Sequence, residues 1–183
     1  KFTGFHTTAL CSSSRACLLT GRNHHAVGMR AVSNMDTGYP NMRGAVTKSA
    51  ATIAEILRED GFTTFATGKW HLAPMAECTA AGPYRNWPLQ RGFDRYYGFL
   101  QGETDQFHPD LTHDNHFIDQ PASPEEGYHV SEDIVDKSIS FIRDTVSVVP
   151  ERPFFLYLAF GAMHAPHQAP DDYLEKYRGK FDQ

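Results

Sequence analysis

The sequence predicts an α/β layered fold, and three observations support this prediction. Segments with helical and strand-like patterns alternate along the chain, which is typical of helices packed on a sheet. Residues 154–160 form a nearly continuous apolar run, as expected for a strand in a sheet that is covered on both faces. Apolar residues between Ile134 and Val146 fall within an arc of roughly 160° on a helical wheel, the width of a stripe that faces a core.

The first part of the chain contains four predicted elements. Residues 2–8 alternate loosely and are predicted to form a strand. Residues 12–20 are rich in Ala, Cys and Leu and are predicted to form a short helix. Ser49 is predicted to cap a second helix that ends near residue 60, and residues 62–67 follow as a strand.

The remainder is predicted to contain loops and two helices. Residues 74–88 have the composition of a loop, and residues 91–116 are rich in aromatic residues, His and Gly without a clear period. Ser131 is predicted to cap the amphipathic helix, and residues 170–177 are predicted to form a short helix. Four aromatic side chains of the middle segment are expected in the core: Phe93, Tyr96, Tyr97 and Phe99.

Composition bounds the class of protein. The 183 residues suffice for one ordinary domain, and the 40% hydrophobic and 21% charged content is typical of a globular protein. A formal charge of −5 gives no basic surface for nucleic acid, and no apolar run approaches the roughly 18 residues of a membrane span. No signal peptide is visible at Lys1, and three cysteines do not indicate a disulfide scaffold. Periplasmic, secreted and cytoplasmic locations therefore all stay open.

Cys11 and Arg15 are the first candidate functional pair. A cysteine that opens a helix lies where the terminal N–H groups favour an anion, and Arg15 follows one helical turn later, over the same spot. The planar guanidinium group of arginine can donate two hydrogen bonds to a tetrahedral oxyanion. The two residues therefore predict a nucleophile beside an anion clamp, although a buried cysteine and a surface arginine explain the pattern equally well.

Further polar residues follow two of the predicted strands. Lys69 and His71 come directly after the strand at residues 62–67, and on an extended backbone they project to the same side. His164 comes just after the apolar run, with His167 as its neighbour in the loop. Because ligand groups gather at the carboxyl ends of strands in α/β sheets, these residues suit charge stabilisation and proton transfer. An exposed lysine and a packed histidine are the plainer alternative for Lys69 and His71.

Three motifs resemble those of formylglycine-dependent sulfatases in the alkaline-phosphatase-like superfamily. Cys-Ser-Ser-Ser-Arg at positions 11–15, with Thr-Gly at 20–21, resembles the signature Cys-x-Pro-x-Arg-x-x-x-x-Thr-Gly, from which Ser13 departs by replacing the proline. Gly-Lys-Trp-His-Leu at 68–72 resembles the second motif, and the segment at 160–167 resembles the third. The pattern is most similar to bacterial-type arylsulfatases and covers essentially the whole chain.

The resemblance implies an alkaline-phosphatase-like fold, in which a mixed or parallel sheet lies between helices. It also implies that residues 1–183 are a fragment of an N-terminal catalytic domain, truncated at both ends. Such a fragment is expected to be inactive on its own, because the family uses groups that this chain does not contain.

The resemblance further implies the hydrolysis of a small-molecule sulfate ester. Cys11 would be converted to formylglycine by a formylglycine-generating enzyme, and a hydroxyl of the hydrated aldehyde would attack sulfur. Arg15 would hold the formylglycine, and His71 would orient or deprotonate its hydrate. Lys69 and His164 would bind the sulfate and stabilise the leaving oxygen.

A divalent cation, Ca²⁺ in most family members, is also implied. Cys11, as formylglycine, would be one ligand, and the Asp-Asp and Asp-Asn ligand pairs of the family would lie outside this chain. Asp114 and Asn115 resemble the later pair, but their place in the aromatic segment argues against a metal role. The histidines of that segment do not have a standard zinc spacing.

Two alternatives stay open beside the arylsulfatase interpretation. One is a phosphodiesterase or phosphonate monoester hydrolase that uses the same fold and the same nucleophile. The other is a non-catalytic, sulfatase-like binding domain in which Cys11 is not converted, which Ser13 and the missing metal ligands would favour.

Overall fold

The computed structural model describes residues 1–181, which form a central sheet with helices on both faces. The strands are β1 (Thr63–Lys69), β2 (Arg95–Phe99), β3 (Leu111–His113), β4 (His116–Ile118) and β5 (Phe154–Ala159). The α-helices are α1 (Cys11–Thr20), α2 (Ile53–Glu59), α3 (Val130–Val148) and α4 (Asp171–Glu175). The predicted helices at 12–20 and 170–177 and the predicted strand at 62–67 are therefore confirmed, with ends that differ by a few residues.

β1 lies inside the sheet, between β2 and the edge strand β5. The strand order is β4-β3-β2-β1-β5. β1 pairs in parallel with β2 and β5, whereas β3 pairs antiparallel with β2 and β4. Six of the seven residues of β1 are buried, as expected for a strand with neighbours on both edges and helices on both faces. This mixed sheet between helices confirms the predicted fold class.

Hydrophobic side chains form two cores, one on each face of the sheet. Ala66 belongs to the core that contains Leu19 of α1. Its neighbour Phe65 belongs to the other core, with Phe141 of α3, because successive side chains of a strand point to opposite faces. The four aromatic residues expected in the core are all buried there: Phe93, Tyr96, Tyr97 and Phe99.

Two segments differ from the predicted secondary structure. Residues 2–8 are mostly exposed and form no strand, because none of the described residues pairs with their backbone as a second strand. Within the aromatic segment, β3 and β4 form a hairpin that periodicity did not indicate, since strands of three residues are too short to show one. Asp114 and Asn115 form its turn, with Asp114 at φ 54°.

The helix caps also differ from the predictions. α2 begins after Thr52, not Ser49, because the Thr52 hydroxyl accepts from the N–H of Glu55 at 3.1 Å. The Glu55 carboxylate in turn accepts from the N–H of Thr52 at 2.7 Å, which completes a capping box. α3 is capped by Nδ1 of His129, which accepts from the N–H of Ser131 at 3.2 Å. The serine predicted as the cap therefore supplies the donor.

β5 is less covered than its apolar sequence predicts. Among the described residues it pairs only with β1, so it forms one edge of the sheet. The side chains of Phe154 and Leu158 are 38% and 37% exposed. The prediction of a strand covered on both faces was therefore wrong for this part of the chain. Across the described residues, no helix combines the length and the apolar character that crossing a membrane requires.

Candidate active site

The candidate site lies where the carboxyl ends of β1 and β2 meet the first turn of α1. Lys69 is the last residue of β1. Beyond it, the N–H groups of Trp70 and His71 donate to the carbonyls of Phe99 and Leu100 at 2.9 and 3.0 Å. Backbone hydrogen bonds therefore continue between the two segments just past the end of β1. Lys69 and His71 are both buried, with only 4% of each residue exposed.

Hydrogen bonds of two buried serines hold the first turn of α1 in place, and this helix begins at Cys11. The Ser12 hydroxyl donates to the carbonyl of His71 at 2.8 Å and accepts from the N–H of Ser33 at 3.0 Å. The Ser13 hydroxyl donates to the carbonyl of Met29 at 3.0 Å. Ser13, which occupies the usual proline position of the sulfatase signature, therefore has a structural role of its own, and position 11 is held against the His71 backbone.

Cys11 contacts the imidazole of His71 directly. The Sγ of Cys11 lies 3.1 Å from Nδ1 of His71, and Nε2 of the same ring lies 2.6 Å from Oδ1 of Asn34. Burial lowers the pKa of His71 to about 3, and the nearby charges of Lys69 and Arg15 add to this effect. The ring is therefore neutral at physiological pH, and one of its two nitrogens is free to accept a hydrogen bond.

Lys69 and Arg15 provide the positive charge of the site. Burial lowers the pKa of Lys69 below its usual value, and the charge of Cys11 as a thiolate opposes that effect. One guanidinium nitrogen of Arg15, Nη1, donates to the carbonyl of Lys69 at 2.6 Å and to the hydroxyl of Tyr157 at 3.1 Å. Arg15 thus joins α1 to the ends of β1 and β5, next to the spot that its spacing predicted.

His164 lies across an open cleft of about 610 Å³ from this group. Its Nδ1 is 2.8 Å from the carbonyl of Ala165 and 3.4 Å from a carboxylate oxygen of Glu103, and its side chain is 43% exposed. The cleft is lined by Cys11 and His71 as well as by His164. The structure therefore brings the predicted residues together at one place, whereas His167 is exposed in the loop that follows.

Three residues of the site were not predicted from the sequence. Asn34 and Glu103 line the cleft, and Gly102 lies against the ring of His71. All three are in irregular segments, where neither hydrophobic periodicity nor a strand end marks a position. No signal in a single sequence distinguishes them from other loop residues.

The described residues do not by themselves form a calcium site. Residues 1–181 contain no group of three or more His, Cys, Asp or Glu side chains placed to hold a metal ion. The side chain of Cys11 contacts the neutral ring of His71, whereas Ca²⁺ requires about six or more oxygen ligands. Asp114 is bonded to the guanidinium of Arg95 at 3.1 Å, as a structural ion pair in the hairpin.

Comparison with known proteins decides the family. The sulfatase family model matches residues 1–183. The chain belongs to the sulfatase family. An arylsulfatase of Klebsiella aerogenes is 27% identical over 197 residues, which cover 100% of this chain and 39% of that protein. An uncharacterized sulfatase of Schizosaccharomyces pombe is 28% identical over 205 residues, covering 100% of this chain and 35% of that protein.

The fold of this sulfatase-family chain is also found in solved structures. The crystal structure of Ps i-CgsB in complex with k-i-k-neocarrahexaose is similar with a TM-score of 0.74 and 27% identity, covering 94% of this chain and 39% of that chain. The chain thus spans little more than a third of the length of the curated relatives it matches, 35% and 39%.

Proposed function

We propose that this chain carries the nucleophile position and part of the sulfate-binding cleft of a sulfatase that hydrolyses sulfate esters. The observation that carries the proposal is the 3.1 Å contact between Sγ of Cys11 and Nδ1 of His71, beside the buried Lys69. We also propose that the chain is part of the N-terminal catalytic region of a longer sulfatase, in line with the fraction of its relatives that it spans.

Position 11 is proposed as the nucleophile after conversion of Cys11 by a formylglycine-generating enzyme. One hydroxyl of the hydrated aldehyde would attack the sulfur of the ester as the bond between sulfur and the alcohol oxygen breaks and the alcohol leaves. The second hydroxyl would then lose its proton and collapse to the aldehyde, which expels sulfate. The half-buried Cys11 begins α1, where helix-terminal N–H groups favour the negative charge of a bound sulfate. Its 3.1 Å contact with His71 supports this role, because it gives position 11 a polar neighbour in the cleft.

The side chains around position 11 are proposed to orient the nucleophile and to stabilise charge on the substrate. His71 is proposed to orient the hydroxyl at position 11 by accepting its hydrogen bond at Nδ1, since the low pKa of the ring keeps it neutral. Lys69 is proposed to stabilise charge on the sulfate oxygens. Arg15 holds the Lys69 carbonyl, and His164 is proposed to contact the leaving oxygen from the opposite wall of the cleft.

A divalent cation, Ca²⁺ as the family resemblance implies, is proposed as the cofactor of the longer protein. Apart from position 11, its oxygen ligands would have to come from outside the group of residues that this structure brings together. Removal of the metal with EGTA is expected to abolish turnover by the complete natural protein, and added Ca²⁺ is expected to restore it. The isolated chain of 183 residues is expected to be inactive.

The proposed substrate is a small sulfate ester, with aryl sulfates as the first choice. The relative from Klebsiella aerogenes is named as an arylsulfatase. The similar structure of Ps i-CgsB contains an oligosaccharide, and an open cleft of about 610 Å³ has room for part of such a molecule. A sulfated oligosaccharide therefore belongs in the same substrate panel.

The test compares turnover of an aryl sulfate, an aryl phosphonate and an aryl phosphodiester by the complete natural protein. The expected result is preference for the sulfate, its loss in Cys11→Ala and its retention in Cys17→Ala. Cys17 is the matched control, because it is a second half-buried cysteine in the same helix. Preference for a phosphorus ester would instead place the protein with the related hydrolases. Binding of sulfate esters without turnover by a protein with unconverted Cys11 would indicate a binding domain.

A further inference from the structure

We propose that Asn34 is a positioning residue that fixes the tautomer of His71, so that the unprotonated Nδ1 faces position 11. Asn34 lies in the loop between α1 and α2, 37 residues from His71 along the chain. The part of this inference that concerns the tautomer rests on geometry alone. The part that concerns rates rests on the proposed sulfatase function.

The hydrogen bonds of the imidazole determine which nitrogen carries the proton. Oδ1 of Asn34 lies 2.6 Å from Nε2 of His71, and a carbonyl oxygen can only accept a hydrogen bond. Nε2 therefore bears the hydrogen. In a neutral ring Nδ1 is then unprotonated, and it lies 3.1 Å from Sγ of Cys11. The free lone pair is directed at Sγ, which stands in for the hydroxyl oxygen that is proposed to act as the nucleophile after conversion of Cys11.

The position of the ring is set by other contacts, which leaves the tautomer to Asn34. The backbone of His71 has φ 53°, and its carbonyl accepts from the hydroxyl of Ser12. One face of the ring lies against Gly102, where a Cβ would come within 2.7 Å of Cε1 and 2.9 Å of Nε2. These contacts hold the plane of the ring but do not distinguish between its two neutral forms.

Loss of Asn34 would therefore leave the ring in place with two accessible tautomers. In the form with hydrogen on Nδ1, that hydrogen would lie between the ring and position 11, and the nitrogen could no longer accept a hydrogen bond there. The bond to Asn34 is thus the contact that selects the reactive neutral form.

The tautomer is measured by ¹⁵N NMR of the histidine side chains in the complete natural protein, with His71→Gln used for assignment. In the unsubstituted protein, Nδ1 of His71 is expected to show the resonance of an unprotonated nitrogen. Asn34→Ala is expected to shift both ring resonances towards an average of two tautomers, whereas Asn34→Asp, which keeps an acceptor, should retain hydrogen on Nε2. An unchanged ring spectrum in Asn34→Ala would overturn the proposal.

Steady-state kinetics test separately whether the tautomer of His71 affects the rate of turnover. Asn34→Ala is expected to lower kcat by about 10- to 100-fold with little change in KM, a typical cost of losing an outer group that orients a functional histidine. Asn34→Asp is expected to recover most of that loss. Asn41→Ala is the matched control in the same loop, because the contact of Asn41 with Arg30 uses its backbone carbonyl.

Each contrary result has a distinct meaning. A rise in KM at unchanged kcat in Asn34→Ala would make Asn34 a substrate contact and overturn the positioning role. Equal loss in Asn34→Ala and Asn34→Asp would do the same. If no sulfate ester is turned over by the unsubstituted protein, the proposed function fails, while the NMR result still decides whether Asn34 sets the tautomer.

Discussion

The two walls of the candidate cleft are built in different ways. On one wall, His71 lines the cleft, and Lys69 lies two residues before it at the end of β1; both residues are 4% exposed. The N–H groups of Trp70 and His71 are held there by hydrogen bonds to the carbonyls of Phe99 and Leu100. On the other wall, His164 is 43% exposed and lies on a loop that follows the edge strand β5. The comparison indicates that the nucleophile side is organised by the core of the domain, whereas the side proposed to contact the leaving oxygen depends on a few polar contacts.

The loop that carries His164 has one well-defined attachment beyond it. The side-chain oxygen of Gln168 accepts from the N–H of Gln106 at 2.8 Å, and its nitrogen donates to Asp105 at 2.7 Å. Asp105 also accepts from the N–H groups of Phe107 and His108, both at 2.8 Å. These bonds lower the pKa of Asp105, so the carboxylate is a fixed, charged anchor at neutral pH.

The largest effect is expected from Gly68→Ala, which breaks the organised wall. Gly68 has φ 93°, and an added Cβ would overlap the carbonyl of Ala159 on the neighbouring strand. Strain and overlap together are expected to lower the free energy of unfolding by about 3 to 5 kcal/mol. The measurement is the unfolding midpoint in urea of the complete natural protein.

Gly127→Ala separates the cost of backbone strain from the cost of overlap with a neighbouring strand. Gly127 has φ 87° but no atom within 4 Å of the added Cβ, so it reports strain without overlap. It is expected to cost about 1 kcal/mol. Equal losses at the two glycines would show that contact between the strands does not limit position 68.

The next largest effect is expected from Lys69→Met, which removes charge from the organised wall and keeps an apolar stem of similar length. Loss of one such charged contact is expected to lower kcat/KM for a sulfate ester by about 10²- to 10³-fold. The unfolding midpoint should change little, because burial already lowers the pKa of Lys69 and so disfavours its charged form.

Lys48→Met is the matched control for this prediction. Burial also lowers the pKa of Lys48, but its ammonium is bonded to the carbonyls of Arg85 and Gln90, away from the cleft. Its substitution should leave kcat/KM within a few fold, as expected for a lysine without a part in the reaction. Similar losses in both variants would mean that Lys69 acts through stability and not through charge at the site.

The difference between residues at strand ends and residues in loops also explains which parts of the site could be predicted from the sequence. Lys69 and His71 were identified because they end a strand with a clear pattern and lie in a recognisable motif. Asn34 was not, because its contact with His71 spans 37 residues of chain and depends on how a loop packs. The start of α2 was missed for a related reason, since Ser49 and Thr52 are both good caps and only the reciprocal bonds with Glu55 favour the later one.

A moderate effect is expected from Gln168→Ala, which loosens the second wall. Loss of its two hydrogen bonds should allow the loop with His164 to move and should lower kcat by about 10-fold. Hydrogen exchange of a peptide that covers residues 161–169 should become faster in the same variant. Gln120→Ala, which removes a local bond to the carbonyl of Ala122, is the control and should change neither quantity. Unchanged exchange in Gln168→Ala would contradict the proposed attachment.

The smallest effect is expected from Glu103→Gln. Its 3.4 Å contact with His164 lies at an exposed position, and contacts of an exposed carboxylate contribute little in water. kcat/KM should change by about 5-fold or less, and the difference between the variant and the unsubstituted protein should shrink as salt is raised. A large loss that does not respond to salt would show that Glu103 contacts the substrate directly.

Mass spectrometry of position 11 is the most direct test of the account. Trypsin should release residues 2–15 of the complete natural protein as one peptide, because Lys1 and Arg15 precede the cleaved bonds. When the protein is purified from a host with a formylglycine-generating enzyme, this peptide is expected to be about 18 Da lighter than the cysteine-containing form. A peptide of unmodified mass with a free thiol at Cys11 would contradict the assignment of this residue as the nucleophile position.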